Sequence, residues 1–344
     1  MITVHSSLHA LHAPEYEFYR GKPVPCFESP LRATRVIDEI AARGHPIREP
    51  AQDSRDVLHQ VHTARYLRFL ETAWQQWLAI DPANRDRQPF PSVWPIRSLR
   101  DDEEPDDFIA RLGLYSMDNG TPLAAGSWIA ARAGADAAVT AAGLLNAGER
   151  SVFCATRPPG HHAGADFMGG YCLLNNAAVA AQSLLNNGCK RVAILDLDYH
   201  HGNGTQSIFY DRADVLFVSI HGDPRSEYPF YLGYADETGS GEGTGYNLNL
   251  PLAPGISREA WFAALETACE RVSRHEPDAL VVSLGLDTFA GDPISRFSLL
   301  AHDYLALGAR LARLALPTIF ILEGGYATGE LGINTANVLE GFEA

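Results

Sequence analysis

Along the second half of this chain, short apolar runs alternate with longer Ala-rich or amphipathic ones. Val152–Ala155, Val192–Asp198, Val215–Ile220, Ala279–Leu286 and Thr318–Leu322 are dominated by Val, Ile, Leu and Phe, with no regular polar alternation. Runs of this kind predict strands covered on both faces. Between them, 126–148 reads as a long Ala-rich helix. Residues 175–185 read as a second helix, closed by Asn186-Asn187-Gly188 with the glycine at a C-cap. Helices at 258–273 and 304–314 follow, the latter stopped by Pro317. Alternating strands and helices imply an α/β fold with a mostly parallel central sheet. Ligands of open α/β sheets bind beyond the carboxyl ends of the strands. Four candidate segments start there, after residues 155, 198, 286 and 322.

The stretch from about 81 to 121 breaks this rhythm. It mixes Pro, Trp and Arg, then runs into Asp101-Asp102-Glu103-Glu104-Pro105-Asp106-Asp107. A long irregular insertion is either functional or disordered. Phe90, Trp94, Phe108 and Tyr115 within it favour an ordered loop that contacts something, over a solvated acidic one. No internal repeat is visible.

Composition narrows the function classes. The 344 residues are 46% hydrophobic and 20% charged, enough for a sizeable core and too apolar for extensive disorder. The net charge of -15 argues against nucleic acid and suits cationic ligands. The five cysteines (Cys26, Cys154, Cys172, Cys189, Cys269) are widely spaced without C-x-x-C, so no disulfide framework or thiolate zinc site is implied. No signal-peptide pattern and no apolar run of membrane-spanning length is present, which predicts a cytoplasmic protein without membrane attachment.

The chemistry gathers at the strand ends. Asp198 and His200 follow the Val192 run, and Asp287 follows the Ala279 run. Alternate residues of a strand point the same way, so Asp-x-His is expected to present both side chains on one side. Two carboxylates and an imidazole suit a catalytic zinc with one open coordination position. His161-His162, in a turn after Arg157-Pro158-Pro159-Gly160, read as metal ligands, a proton-transfer pair or a solvated loop. Asp196 and Asn203 are candidates to orient them. Glu323-Gly324-Gly325-Tyr326 offers a phenol that could stabilise an oxyanion, although taken alone it reads better as a surface turn. Gly239-Ser240-Gly241-Glu242-Gly243-Thr244-Gly245 lacks the Lys of a phosphate-binding loop and reads as a flexible connection.

Taken together, these motifs resemble the histone deacetylase superfamily, and most closely its acetylpolyamine amidohydrolase branch. The carrying residues are Arg157-Pro158-Pro159-Gly160-His161-His162-Ala163, Gly169-Gly170-Tyr171-Cys172, Asn175-Asn176-Ala177, Asp196-Leu197-Asp198-Tyr199-His200-His201-Gly202-Asn203-Gly204-Thr205, Leu284-Gly285-Leu286-Asp287 and Glu323-Gly324-Gly325-Tyr326. Pro25-Cys26-Phe27-Glu28-Ser29-Pro30 and Val61-His62-Thr63-Ala64-Arg65-Tyr66-Leu67 extend the likeness to the N-terminal region.

The resemblance implies one arginase–deacetylase-like α/β/α catalytic domain spanning residues 1–344. It implies Zn²⁺ on Asp198, His200 and Asp287, a tandem catalytic pair in His161 and His162, and a carbonyl-polarising Tyr326. Asp196 orients His161. Asn203, where many histone deacetylases carry Asp, holds His162 and leaves it the more readily neutral ring. Tyr171, Tyr228 and Ile294 line the substrate channel. Structural K⁺ or Na⁺ sites map to Asp196, Asp198, His200, Ser219 and Ile220, and to Phe209, Arg212, Val215 and Tyr246. The 81–121 insertion corresponds to a loop that crosses a homodimer and narrows the active-site entrance. Two acidic positions that recognise distal ammonium groups in polyamine enzymes fall near Ile109 and Gly120, which leaves Asp106, Asp107 or Asp118 as substitutes, or a preference for shorter diamines.

The superfamily also contains two-manganese ureohydrolases. Their extra bridging carboxylates fall at Gly202 and Gly285, so one metal and an amide substrate are expected. The resulting expectation is a zinc-dependent hydrolase that removes acetyl groups from N-acetylated polyamines or short diamines. The alternatives are an acetyl-lysine deacetylase acting on proteins or peptides, and a non-catalytic acetylamine-binding protein.

Overall fold

The computed structural model describes residues 1–344. Its strands, in chain order, are β1 (Ile2–Val4), β2 (Tyr16–Tyr19), β3 (Lys22–Pro25), β4 (Ile47–Arg48), β5 (Ser151–Cys154), β6 (Val192–Asp196), β7 (Val215–Gly222), β8 (Asn247–Leu252), β9 (Ala279–Leu284) and β10 (Thr318–Leu322). Its α-helices are α1 (Pro30–Ala42), α2 (Arg55–Val61), α3 (Ala64–Ile80), α4 (Phe108–Leu114), α5 (Ser127–Asn146), α6 (Asn176–Asn186), α7 (Asn203–Phe209), α8 (Arg258–His275), α9 (Ala301–Ala312) and α10 (Leu331–Glu343).

Eight strands form one sheet in the order β4-β1-β5-β10-β9-β6-β7-β8, and every pairing is parallel. β2 and β3 form a separate antiparallel hairpin. Alternate residues of the central strands feed two different cores. Val152, Cys154, Ile194, Val281, Ile319 and Ile321 face one layer, with side chains of α2, α3, α5 and α6. Phe153, Ala193, Leu195, Leu280, Val282 and Phe320 face the other, with α1, α8, α9 and α10. The strands are therefore apolar on both faces because both faces are covered.

Local signals agree with these bounds. Asn175 caps α6 by accepting a hydrogen bond from the Ala178 N–H at 2.9 Å. Gly188 ends it at φ +105°, a conformation costly for a side chain. β10 has the bounds its apolar run predicts. β6 stops at Asp196, two residues earlier than its run suggests.

The parallel order places the carboxyl ends of β5, β10, β9 and β6 side by side at the centre of one sheet edge. The insertion is ordered but largely irregular. It contains a 3₁₀ turn (Pro82–Asp86) and α4. Phe90 packs on Tyr16 and Phe18, Phe108 packs on Phe69 and Trp77, and Tyr115 bonds Glu104 at 2.7 Å.

Candidate metal centre and active site

Asp198, His200 and Asp287 come together with their ligand atoms within 4.8 Å of one another, all buried. His200 Nδ1 lies 3.0 Å from Asp287 Oδ2 and 3.3 Å from Asp198 Oδ1. The sequence expectation that strand alternation aligns Asp198 with His200 is corrected here. Both lie in a bend beyond β6, and backbone hydrogen bonds align them instead. The Asp198 N–H donates to Asp196 Oδ1 (3.1 Å), the His200 N–H to Asp198 Oδ1 (2.9 Å) and the Tyr199 N–H to Asp287 Oδ1 (2.8 Å). From the β10 side, the Gly324 N–H donates to Asp198 Oδ2 at 2.8 Å. The chain after three strands is thus laced into one cradle.

This cradle fits a cation. Two buried carboxylates repel each other, and burial together with Asp198 pushes Asp287 up to about 7. A divalent ion removes that penalty, and two oxygens plus one imidazole nitrogen are a donor set that zinc accepts with a position to spare. The glycines leave the room. A Cβ on Gly285 would fall 2.2 Å from Asp198 Oδ2, and one on Gly324 2.5 Å from the same oxygen. A Cβ on Gly202 would fall 2.1 Å from Asp196 Oδ2. The two positions where a second metal would need carboxylates, Gly202 and Gly285, are closed off by Asp196 and Asp198.

His161 and His162 follow β5. The Glu323 carboxylate holds their turn, accepting from the Gly160 N–H (2.6 Å) and the His161 N–H (3.1 Å). His161 Nδ1 lies 3.0 Å from Asp196 Oδ2, and His162 Nδ1 lies 2.7 Å from Asn203 Oδ1. The rings are 3.9 Å apart between centroids. Their electrostatics diverge. Burial disfavours the His161 cation, but the Asp196 and Asp198 carboxylates outweigh it and hold the ring up at about 10. Burial, then the neighbouring His161 and His200, drive His162 well below 6.5. The surroundings thus favour the charged form of His161 and the neutral form of His162.

His161, Cys172 and Glu323 form a second close group. Its atoms are otherwise engaged: His161 on Asp196, Glu323 on two backbone N–H groups, and the Cys172 thiol pushed far up by burial. It is a poor metal site.

Tyr326 sits beyond β10, with its N–H donated to Asp292 Oδ2 at 2.7 Å and its ring 5.6 Å from Tyr171. A channel of about 300 Å³ leads from the surface to His162, His200 and Tyr326. Tyr171, Tyr228 and Ile294 line it, as the resemblance implies, and so do Glu17, Asp118 and Glu227. Asp118 accepts from Tyr228 Oη at 2.6 Å and Glu17 from Tyr171 Oη at 2.8 Å. Of the acidic substitutes considered, Asp118 reaches the channel. Asp107 caps α4 instead, and Asp106 is exposed.

Of the monovalent-cation positions, Asp196 and Ser219 are paired neighbours on β6 and β7, with Ile220 next along. Phe209 ends α7, Arg212 precedes Val215 at the start of β7, and the Tyr246 carbonyl accepts from the Phe217 N–H.

Sequence reasoning missed a buried charge cluster beneath Tyr326. Glu28 accepts a hydrogen bond from Arg32 (2.9 Å) and forms an ion pair with Arg157 (2.8 Å), and Arg32 donates to the carbonyls of Gly325 and Glu323. Glu28 and Arg157 lie inside quoted motifs, but their partnership spans more than a hundred residues and leaves no local signal. Glu17 and the bracing role of Glu323 were missed for the same reason.

Comparison with known proteins agrees with this geometry. The family model described as "Histone deacetylase domain" matches residues 26–342. The chain is 53% identical over its whole length to acetylpolyamine amidohydrolase 2 of Pseudomonas aeruginosa, covering 99% of that relative. It is 43% identical to acetylpolyamine amidohydrolase of Mycoplana ramosa, with 99% of each chain covered. It superposes on a crystal structure of acetylpolyamine aminohydrolase from Burkholderia pseudomallei with a TM-score of 0.94 and 39% identity, covering 100% of this chain and 99% of that one.

Proposed function

This chain belongs to the histone deacetylase family, and from that premise we propose that it hydrolyses the acetamide bond of N-acetylated polyamines or short diamines, releasing acetate and free amine. Relatives named as acetylpolyamine amidohydrolases match it end to end, which supports the substrate class. The observation that carries the reading is the buried Asp198–His200–Asp287 cluster at the foot of a channel, flanked by a neutral His162, a cationic His161 and Tyr326.

Asp198, His200 and Asp287 would hold Zn²⁺, which when bound polarises the acetyl carbonyl and acidifies the attacking water. His162 Nε2 takes the water's proton as the new C–O bond forms, because Asn203 occupies its Nδ1. Tyr326 donates its hydroxyl hydrogen to the oxygen on which negative charge develops. His161, charged against Asp196, adds fixed positive potential beside that oxygen. The C–N bond then breaks, and His162 returns its proton to the leaving nitrogen. Tyr171, Tyr228 and Ile294 position the chain of the amine, whose distal ammonium suits the acidic lining.

The chain acts in this reading as one catalytic unit, with the 81–121 insertion at the entrance and against a second copy. Ile96 (66% exposed) and Leu99 (80%) offer that copy an apolar surface. The positions around Ser219 and Tyr246 would take K⁺ or Na⁺. No helix is long and apolar enough to cross a membrane.

The test is a kinetic panel of acetylated putrescine, cadaverine, spermidine, spermine and lysine peptides on metal-assayed protein, with size-exclusion chromatography for the dimer. Acetate release from acetylamines is expected. A zinc-loaded sample that turns over none of them, or turns over only peptides, overturns the reading.

A further inference from the structure

We infer that Met117, a residue of the insertion, is a positioning residue for the proton-transfer step. Its thioether fixes which way the Asn203 amide faces and thereby which nitrogen of His162 carries the proton. The inference rests on the reading of His162 as the base.

Asn203 is 1% exposed, and its two amide atoms reach different partners. Oδ1 lies 2.7 Å from His162 Nδ1, while Nδ2 lies 3.1 Å from Met117 Sδ. An amide can rotate by half a turn with little change in shape, so something must choose between its two orientations. Asp in that place would need no such choice, because both carboxylate oxygens accept. Asn does need one. With Nδ2 turned toward His162, the ring would have to accept at Nδ1 and carry its proton on Nε2. That nitrogen must be empty to receive a proton from water. A thioether has no hydrogen to donate and can only accept. It stabilises the orientation with Nδ2 toward sulfur and Oδ1 toward the ring. His162 is then held as the Nδ1–H tautomer, with its Nε2 lone pair free.

The sulfur is itself held in place. The Met117 N–H donates to the Met168 carbonyl at 2.9 Å, and Ser116 pairs with Met168 as a parallel bridge. Gly169, next along, packs so tightly that a Cβ there would fall 2.2 Å from Met117 Cγ. Asp118 then accepts from the Gly170 N–H at 2.8 Å, and Thr121 Oγ1 from the Tyr171 N–H at 3.0 Å. The segment 116–121 is therefore stitched to the channel wall at 168–171. The end of the insertion reaches the acid–base machinery through one sulfur.

A double-mutant cycle on the zinc-loaded enzyme tests this. Met117→Leu keeps volume and removes the acceptor. Its kcat for acetylputrescine is expected to fall roughly fivefold to tenfold, the scale of one hydrogen bond, with KM within about twofold of wild type. In an Asn203→Asp background residue 203 has no wrong orientation, and the same substitution should lose under about twofold. Thermal melts and zinc content confirm that each variant is folded and loaded. An equal loss in both backgrounds, or none in either, overturns the inference. Nitrogen-15 histidine NMR of the wild-type enzyme gives an independent reading, and an Nε2–H tautomer at His162 overturns it as well. Wild-type protein without acetylamine hydrolysis would instead sink the functional reading itself.

Discussion

The Arg32 guanidinium lies over the Tyr326 ring, 4.8 Å from its centroid, and also donates to the backbone of the turn that carries the ring, through the Gly325 and Glu323 carbonyls. The phenol is therefore set from two sides by one buried cation, itself neutralised by Glu28. A group held this way before substrate arrives needs little reorganisation when charge develops. Burial keeps the phenol protonated, well above its usual titration range. Tyr326→Phe is expected to lower kcat by about 10²- to 10³-fold while KM stays nearly constant. Steady-state kinetics on acetylputrescine checks it, and a change confined to KM would remove Tyr326 from the oxyanion role.

The histidine pair makes a prediction about pH. His162 must be neutral to act, and its environment drives its pKa below 6.5. Activity should therefore hold down to pH 6.5 and fall only as pH drops through a lower value. Asn203→Asp places a carboxylate on Nδ1, stabilises the imidazolium and should move that acid limb upward by roughly one unit. His161→Ala removes a neighbouring cation that holds His162 down, so the limb should move upward here too, and the rate should fall less than for His162→Ala. The kcat/KM profiles of the three variants read both effects.

How much of this was legible in the chain follows from sequence separation. The doubly covered strands announced themselves, and Thr318–Leu322 could be bounded to the residue, because continuous apolar runs need no partner to be recognised. β1 and β4 escaped notice, since three residues and two residues carry no period. The metal-centre candidates stood out because Asp198 and His200 are two apart and Asp287 follows an apolar run. The backbone hydrogen bonds that aim them were not readable. Glu28, Arg32 and Arg157 looked like ordinary charges, and Met117 like an ordinary apolar residue, because each acquires meaning from a partner far along the chain.

Metal removal should expose the repulsion stored in the centre. Without the metal, Asp198 and Asp287 share a buried cradle with only the His200 ring between them, and burial together with Asp198 still pushes Asp287 up to about 7. Chelated protein is expected to melt at lower temperature than the zinc form. Asp287→Asn removes one of the two like charges. Its metal-free form should melt a few degrees above metal-free wild type, fail to respond to zinc and lack activity. Calorimetry with and without chelator decides it. A metal-free variant less stable than metal-free wild type would show that the repulsion is not what the ion relieves.

Gly202→Ala tests the close approach behind the histidine pair. The added Cβ would sit 2.1 Å from Asp196 Oδ2 and 3.3 Å from His161 Nδ1. Asp196 must withdraw, and His161 loses the carboxylate that keeps it charged. We expect kcat to fall by about tenfold or more with zinc retained, since the added Cβ meets Asp196 and His161 rather than Asp198, His200 or Asp287. Zinc content measured alongside turnover separates this outcome from simple loss of the metal.

The channel's acidic wall should make the enzyme choose charged amines, and Glu17 is the sharpest probe of that choice. Its carboxylate accepts from Tyr171 Oη and from the Phe27 N–H, and burial pushes its pKa up to about 7. Near neutral pH the free enzyme therefore holds Glu17 partly protonated, and an ammonium arriving in the channel favours the ionised form. The sign follows: kcat/KM for a cationic acetylamine rises as pH increases through 7, while that for a neutral acetamide of equal length does not share the rise. Glu17→Gln should remove this difference, lowering kcat/KM for acetylputrescine by about fivefold to tenfold and leaving the neutral acetamide within about twofold. Paired pH profiles on the two substrates give the answer. Parallel losses on both would assign Glu17 to holding Tyr171 in place rather than to reading charge.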